Sequence, residues 1–234
     1  RIPFFITGAL MFCVFLSTWL LTVEHFTPIK KEAMKPMKEI IHNLDNPPLI
    51  FVMFLTTMIV TSSTMSIDPI ISLYVRQLMG GHGNIAFVAG IVAATPGLGT
   101  LLAASKVGHT MDRIGPEKVL QIGILTAFIL FIPMTITKSP WALAFWRFLL
   151  GLANAALMPA TQTVLTLDVP TEAFGRIFSY NQSFQAAGAV LRSILGSVIS
   201  GISSYEMGFV ITGLTLLLNF ILVMLVRPKK QLTE

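Results

Sequence analysis

The sequence predicts an all-α membrane protein with seven transmembrane helices. Three observations predict it. Apolar residues make up 54% of the chain and charged ones 12%, with a mean hydropathy of +0.77, against about 25% charged in an average soluble domain. Uncharged apolar runs return again and again at the length of about 20 residues that a helix needs to cross a hydrocarbon core. The basic residues fall between those runs unequally, and the inequality alternates from one connection to the next.

Taken in order, the predicted spans are Ile2–Thr22, Pro48–Val75, Ile85–Ser105, Val119–Thr137, Trp141–Leu167, Phe174–Gly201 and Met207–Val226. Alternating the sides puts Lys30, Lys31, Lys35, Lys38, Lys106, Arg113, Lys118, Arg176, Arg227, Lys229 and Lys230 on one face of the bilayer. Arg1, Arg76 and Lys138 fall on the other. The positive-inside rule makes the first face cytoplasmic, so the carboxy terminus is expected in the cytoplasm of a multi-pass plasma-membrane protein. The excess of 16 Lys and Arg over 11 Asp and Glu therefore follows the membrane sides and does not indicate nucleic acid.

The chain opens on Arg1 and enters a span at Ile2, and is expected to be part of a longer protein. The first span, 1–23, is followed by a polar, basic connection, 24–46, closed by Pro47-Pro48. There Ile29, Met34, Met37, Ile40, Ile41 and Leu44 fit either an amphipathic helix on the membrane surface or a solvated linker. The six later spans, 47–230, are joined by short connections, and 231–234 form a tail. Cys13, the single cysteine, excludes an intramolecular disulfide and is expected as a packed apolar side chain.

The spans differ in kind. The fourth and seventh are nearly all apolar, as suits helices mostly facing lipid. The third carries Phe87, Gly90, Ala94, Gly97 and Leu101 on one face, an expected site of close helix approach. Polar stripes mark the other three: Thr57, Thr61, Thr64 and Asp68 on the second span; Arg147, Gly151, Asn154, Met158 and Gln162 on the fifth; Gln182, Gln185, Ala189, Arg192 and Gly196 on the sixth.

Asp68, Arg147 and Arg192 are charged positions inside spans. Such a charge costs about 2.5–3.5 kcal/mol at a helix centre and faces a partner or a wet cavity. Arg147 lies six residues in from Trp141, about 9 Å. The candidate cavity comprises Asp68, Arg147, Asn154, Met158, Gln162, Gln182, Gln185 and Arg192. It is either a site whose carboxylate changes protonation or partner as the protein moves, or a static ion pair, with Arg192 snorkelling toward water. Burial and a neighbouring arginine act on the Asp68 proton in opposite senses, which leaves its titration open. Pro69 and Pro159 either expose carbonyls to a cavity or are packing kinks. Met53, Met58, Met65 and Met158 are either a soft binding wall or packing.

The stretch 108–118, expected as a loop, resembles the cytoplasmic loop of the major facilitator superfamily, Gly-x-x-x-Asp-Arg-x-Gly followed by basic residues. It supplies Gly108, Asp112, Arg113, Gly115 and Lys118, with Pro116 and Glu117 where basic residues often stand. Arg147-Phe148-Leu149-Leu150-Gly151 with Asn154 to Pro159 resembles the tenth span of the drug:proton antiporters of that superfamily. Asp168 through Gly175-Arg176 to Asn181-Gln182-Ser183-Phe184 looks like their tenth-to-eleventh connection. Arg192-Ser193 departs from the pattern, where related pumps carry Gly-Pro.

The resemblance implies spans six to twelve of a twelve-span fold: the carboxy-terminal six-helix half plus one preceding helix. It implies multidrug efflux by alternating access, with protons and small amphipathic compounds as partners. Gly108, Asp112, Arg113 and Gly115 are then a latch between helix ends. One half without the other is expected not to transport.

Another organic solute, anionic given Arg147 and Arg192, is an alternative. A seven-helix receptor is the alternative of a different class, although the long first linker and the Asp112-Arg113 stretch speak against it. A retinal protein would need an intramembrane lysine, and the lysines lie in connections or at span edges. No enzyme, cofactor or metal is expected. His25, His42, His82 and His109 lack metal-ligand spacing, and no glycine-rich phosphate loop precedes a lysine.

Overall fold

The computed structural model describes residues 2–22, 46–65, 71–201 and 205–226. Asp68, Pro69, the connection 24–45 and the basic tail lie outside the described residues, as do the side chains of Thr64 and Met65 and the surroundings of Gly196. Every regular element among the described residues is helical: α1 Ile2–Leu21, α2 Pro47–Met65, α3 Ile71–Leu78, α4 Ile85–Ile114, α5 Pro116–Ile136, α6 Pro140–Asp168, α7 Phe174–Gly201 and α8 Tyr205–Leu225, with a 3-10 turn at Thr171–Ala173. Of these, α1, α4, α5, α6 and α8 are long and apolar enough to cross a membrane. The predicted second span is described as α2 and α3.

The chain divides into two compact units, Arg1–Glu39 and Ile40–Glu234. In the first, α1 is exposed along its described length. Phe15 and Trp19 meet edge to face, and Ser17 and Thr18 return their hydroxyls to the Cys13 and Val14 carbonyls, one turn back. Cys13 is exposed, contrary to expectation, because a lone helix has nothing to bury it within its own unit.

In the second unit α6 is the hub. It packs on α4 and α5 and more lightly on α2, while α5 packs on α8, and α2 on α7 and α8. The apolar α5 and α8 each bury one side against neighbouring helices and leave the other side exposed, as suits helices that face lipid there. On α5, Leu120, Gly123, Ile124, Ala127, Phe131 and Met134 are buried; on α8, Phe209, Thr212, Leu216, Asn219 and Val223 are buried. A uniformly apolar helix conceals from sequence which side meets protein.

Stretch 108–118 is not a loop. α4 runs 30 residues to Ile114, about 45 Å at 1.5 Å per residue, well beyond the roughly 20 residues that cross a bilayer. Polar side chains do not end a helix once it has left lipid, because water solvates them while the backbone stays internally bonded. The reversal takes one residue. Gly115 adopts φ 88°, a conformation that favours glycine, and its N–H closes the helix on the Met111 carbonyl at 2.9 Å. Pro116 then opens α5, where a missing N–H costs nothing.

The expected contact face of α4 meets no described helix of this unit. Phe87, Gly90, Ala94, Gly97 and Leu101 are exposed, and the close approach uses a neighbouring face. A methyl on Gly99 would strike the Phe148 carbonyl, and one on Gly151 the Pro96 carbonyl. Thr100 Oγ1 donates to the Gly151 carbonyl at 3.0 Å. Pro96, inside the helix, withholds the N–H that Val92 would receive. Thr95 Oγ1 supplies that bond instead, at 2.9 Å.

Candidate functional site

Where α2, α4, α6 and α7 converge they line an open cavity of about 350 Å³. Val60 and Thr61 come from α2, Ala93, Pro96, Gly97 and Thr100 from α4, Arg147, Asn154 and Met158 from α6, and Gln185 from α7. The 3.6-residue repeat explains the α6 contribution, since Arg147, Asn154 and Met158 follow at steps of seven and four on one face. Gly151, between them, turns toward Pro96 and lets α4 close the wall.

Arg147 is 4% exposed and is the one charged side chain among the described lining residues. It lies seven residues into α6, about 10 Å from the helix start. Around it stand the Asn154 and Gln185 amides and the Thr61 and Thr100 hydroxyls, with Val60, Ala93, Pro96 and Met158 supplying apolar wall. A fixed cation among neutral polar groups and apolar surface suits a small amphipathic molecule, and is also a place where a carboxylate can be held.

The cavity unites Arg147, Asn154, Met158 and Gln185 among the expected residues. Gln162 and Gln182 are exposed, and half-buried Arg192 does not line it. Of the methionines with described side chains, Met158 lines the cavity, while Met53 is packed in the core at 1% exposure. Val60, Ala93, Pro96, Gly97 and Thr100 were missed as lining residues, because stripes of polar residues find charges and amides, not the apolar walls between them.

Below the cavity a second polar layer ties the helices together. Thr57 Oγ1 donates to Asn181 Oδ1 at 2.7 Å, joining α2 to α7, and both side chains are buried. Gly188, farther along α7, lies against the Met58 backbone. On the other side of α2, Thr56 Oγ1 donates to Asn219 Oδ1 of α8 at 3.0 Å, again fully buried.

The expected latch residues are not gathered into a site. Gly108, Asp112 and Arg113 are exposed at the far end of α4, and neither Asp112 nor Arg113 reaches an ion-pair partner among the described residues.

The family model described as the Major Facilitator Superfamily matches residues 53–234, which take in every wall of the cavity. The chain belongs to the major facilitator superfamily. It is similar to the multidrug resistance protein MdtG of Salmonella arizonae, Salmonella newport and Salmonella heidelberg, each 43% identical over 221 residues, 94% of this chain and 55% of the relative. The chain thus spans about half the length of the curated relatives it matches. Membership in the major facilitator superfamily, with several helices apolar enough to span a bilayer, makes this a multi-pass membrane protein of a transporter family.

Proposed function

We propose that this chain forms the carboxy-terminal part of a multidrug efflux transporter that exchanges protons for amphipathic organic compounds by alternating access. The observation that carries the proposal is buried Arg147 on the wall of a cavity that also holds Asn154, Met158 and Gln185. The similarity to multidrug resistance proteins supports it. In this proposal seven helices span the plasma membrane, the carboxy terminus is cytoplasmic, and Asp68 carries the coupling proton. A cavity formed by one half is completed by the other, so the chain needs its amino-terminal counterpart to transport.

The test is efflux of a fluorescent cationic dye from cells producing this chain alone, or together with an amino-terminal half, with and without a proton uncoupler. Uncoupler-sensitive efflux only when both are present is the expected result; no efflux in either case, with insertion verified, refutes it. One observation favours a second substrate class. The charge on the described cavity wall is positive, which suits an organic anion, and uptake or efflux of labelled organic anions in the same cells separates the two.

A further inference from the structure

At the far end of α4 from its start at Ile85, the helix parts from α5 over the flank of α6, leaving a cleft of about 390 Å³. Its walls are apolar: Leu102, Ala103 and Val107 of α4, Val119 of α5, and Leu152 and Ala156 of α6. Its rim is basic. Lys106 lines the cleft itself and is exposed. It stands 21 residues beyond Ile85, about 32 Å along the helix and so level with the edge of a hydrocarbon core roughly 30 Å thick.

Arg113 is seven residues farther on, two turns along the face that carries Lys106 and Thr110. Lys118 adjoins the lining residue Val119. All three cations are exposed, and none forms an ion pair among the described residues. Two acids stand near in sequence. Asp112 lies about 200° round the helix from Thr110, turned away from the cleft, and half-buried Glu117 is within electrostatic range of Asp168 at the end of α6.

We propose that this cleft binds one anionic phospholipid of the cytoplasmic leaflet, its acyl chain along Leu102, Ala103, Leu152 and Ala156 and its phosphate held by Lys106 and Arg113. The charge pattern selects this occupant. An apolar slot without the cations would accept any lipid, and the cations without the slot would accept any anion. The site is separate from the cavity around Arg147 and does not depend on what the protein transports.

The experiment is native mass spectrometry of the full chain, released from nanodiscs of phosphatidylcholine containing increasing phosphatidylglycerol. One phosphatidylglycerol should be retained in preference to phosphatidylcholine by about tenfold or more, each basic side chain near an anionic headgroup being worth about fivefold. Lys106→Gln with Arg113→Gln should bring the two lipids near parity, while Lys106→Arg keeps the preference. Ala156→Phe, which fills the slot and leaves the cations, should lower retention of both lipids. Equal retention by the unmodified chain, or an undiminished preference in the double variant, overturns the proposal. So does displacement of the lipid by millimolar inorganic phosphate, which would reveal a site for a free anion.

Discussion

The Pro96 carbonyl on α4 lies so close to the Cα of Gly151 on α6 that a single methyl group would overlap it. The contact lies beside the cavity, between Arg147 and Asn154 along α6, and Thr100 adds a hydrogen bond to the Gly151 carbonyl there. Helix approach in a bilayer relies on van der Waals packing and hydrogen bonding more than on water exclusion, so small residues at the crossing set its distance.

Gly151→Ala should therefore force α4 and α6 apart, and overpacking of this kind costs about 1–3 kcal/mol. Thermal unfolding in mild detergent, followed by circular dichroism, should show a lowered midpoint. Gly97→Ala makes the control, since a methyl there meets nothing within 4 Å. Equal midpoints for the two variants would mean that the crossing is looser than the structure has it.

Thr57 and Asn181 hold α2 to α7 by one buried hydrogen bond. Asn181→Ala removes the acceptor, but a threonine hydroxyl on a helix can fall back on the carbonyl one turn earlier. The loss should stay near 1 kcal/mol, in keeping with hydrogen bonds between membrane helices. A double-mutant cycle with Thr57→Val measures the coupling directly. A coupling indistinguishable from zero would show that the pair contributes no stability.

Much of the helical frame was legible because bilayer thickness dictates composition. The observed ends of α5, α6, α7 and α8 fall within a few residues of the predicted spans. What failed was anything periodicity leaves ambiguous. The small residues Gly90, Ala94 and Gly97 mark a face of α4, but not whether that face meets a helix of this unit. The charged stretch after Ser105 reads as a loop because polarity reports exit from lipid, not the end of a helix. For the cavity, Arg147, Asn154 and Gln185 were visible as polar groups inside apolar spans. Asn219 carried the same signal, a lone amide in an apolar run, and was passed over with its span.

Asn219 is fully buried, accepts from Thr56, and has an Nδ2 with no hydrogen-bond partner among the described residues. A buried donor left unsatisfied costs about 1–3 kcal/mol, and replacing both polar partners by apolar groups of similar shape relieves that cost. Asn219→Leu with Thr56→Val should then be at least as stable as the unmodified chain in the same unfolding assay. Asn219→Leu alone should be less stable than the pair. A double variant well below the unmodified chain would point to a partner for Nδ2 beyond this layer.

Asp112 and Arg113 sit on the last turn of α4 with no ion-pair partner among the described residues. The proposed latch role therefore needs groups from another helix end in another state of the transporter. Asp112→Ala in the complete transporter should change the maximal rate of dye efflux severalfold and leave the half-saturating concentration within about twofold, as for an interaction made only along the conformational step. A change confined to the half-saturating concentration would assign Asp112 to substrate binding and remove the latch.

Arg147 and Asp68 carry the sharpest test of proton coupling. Arg147 is a fixed cation on the cavity wall, and Asp68 is the proposed proton carrier. Arg147→Gln, by removing the charge and the planar donor fork, should lower uncoupler-sensitive efflux at least tenfold. Arg147→Lys, which keeps the charge without the fork, should fall between. Asp68→Asn cannot release a proton, so it should abolish uncoupler-sensitive efflux with membrane insertion intact. It should also retain dye binding, because its side chain stays close in size and polar. Normal uncoupler-sensitive efflux in Asp68→Asn would move the coupling proton elsewhere. Loss of dye binding in that variant would make Asp68 a substrate contact instead.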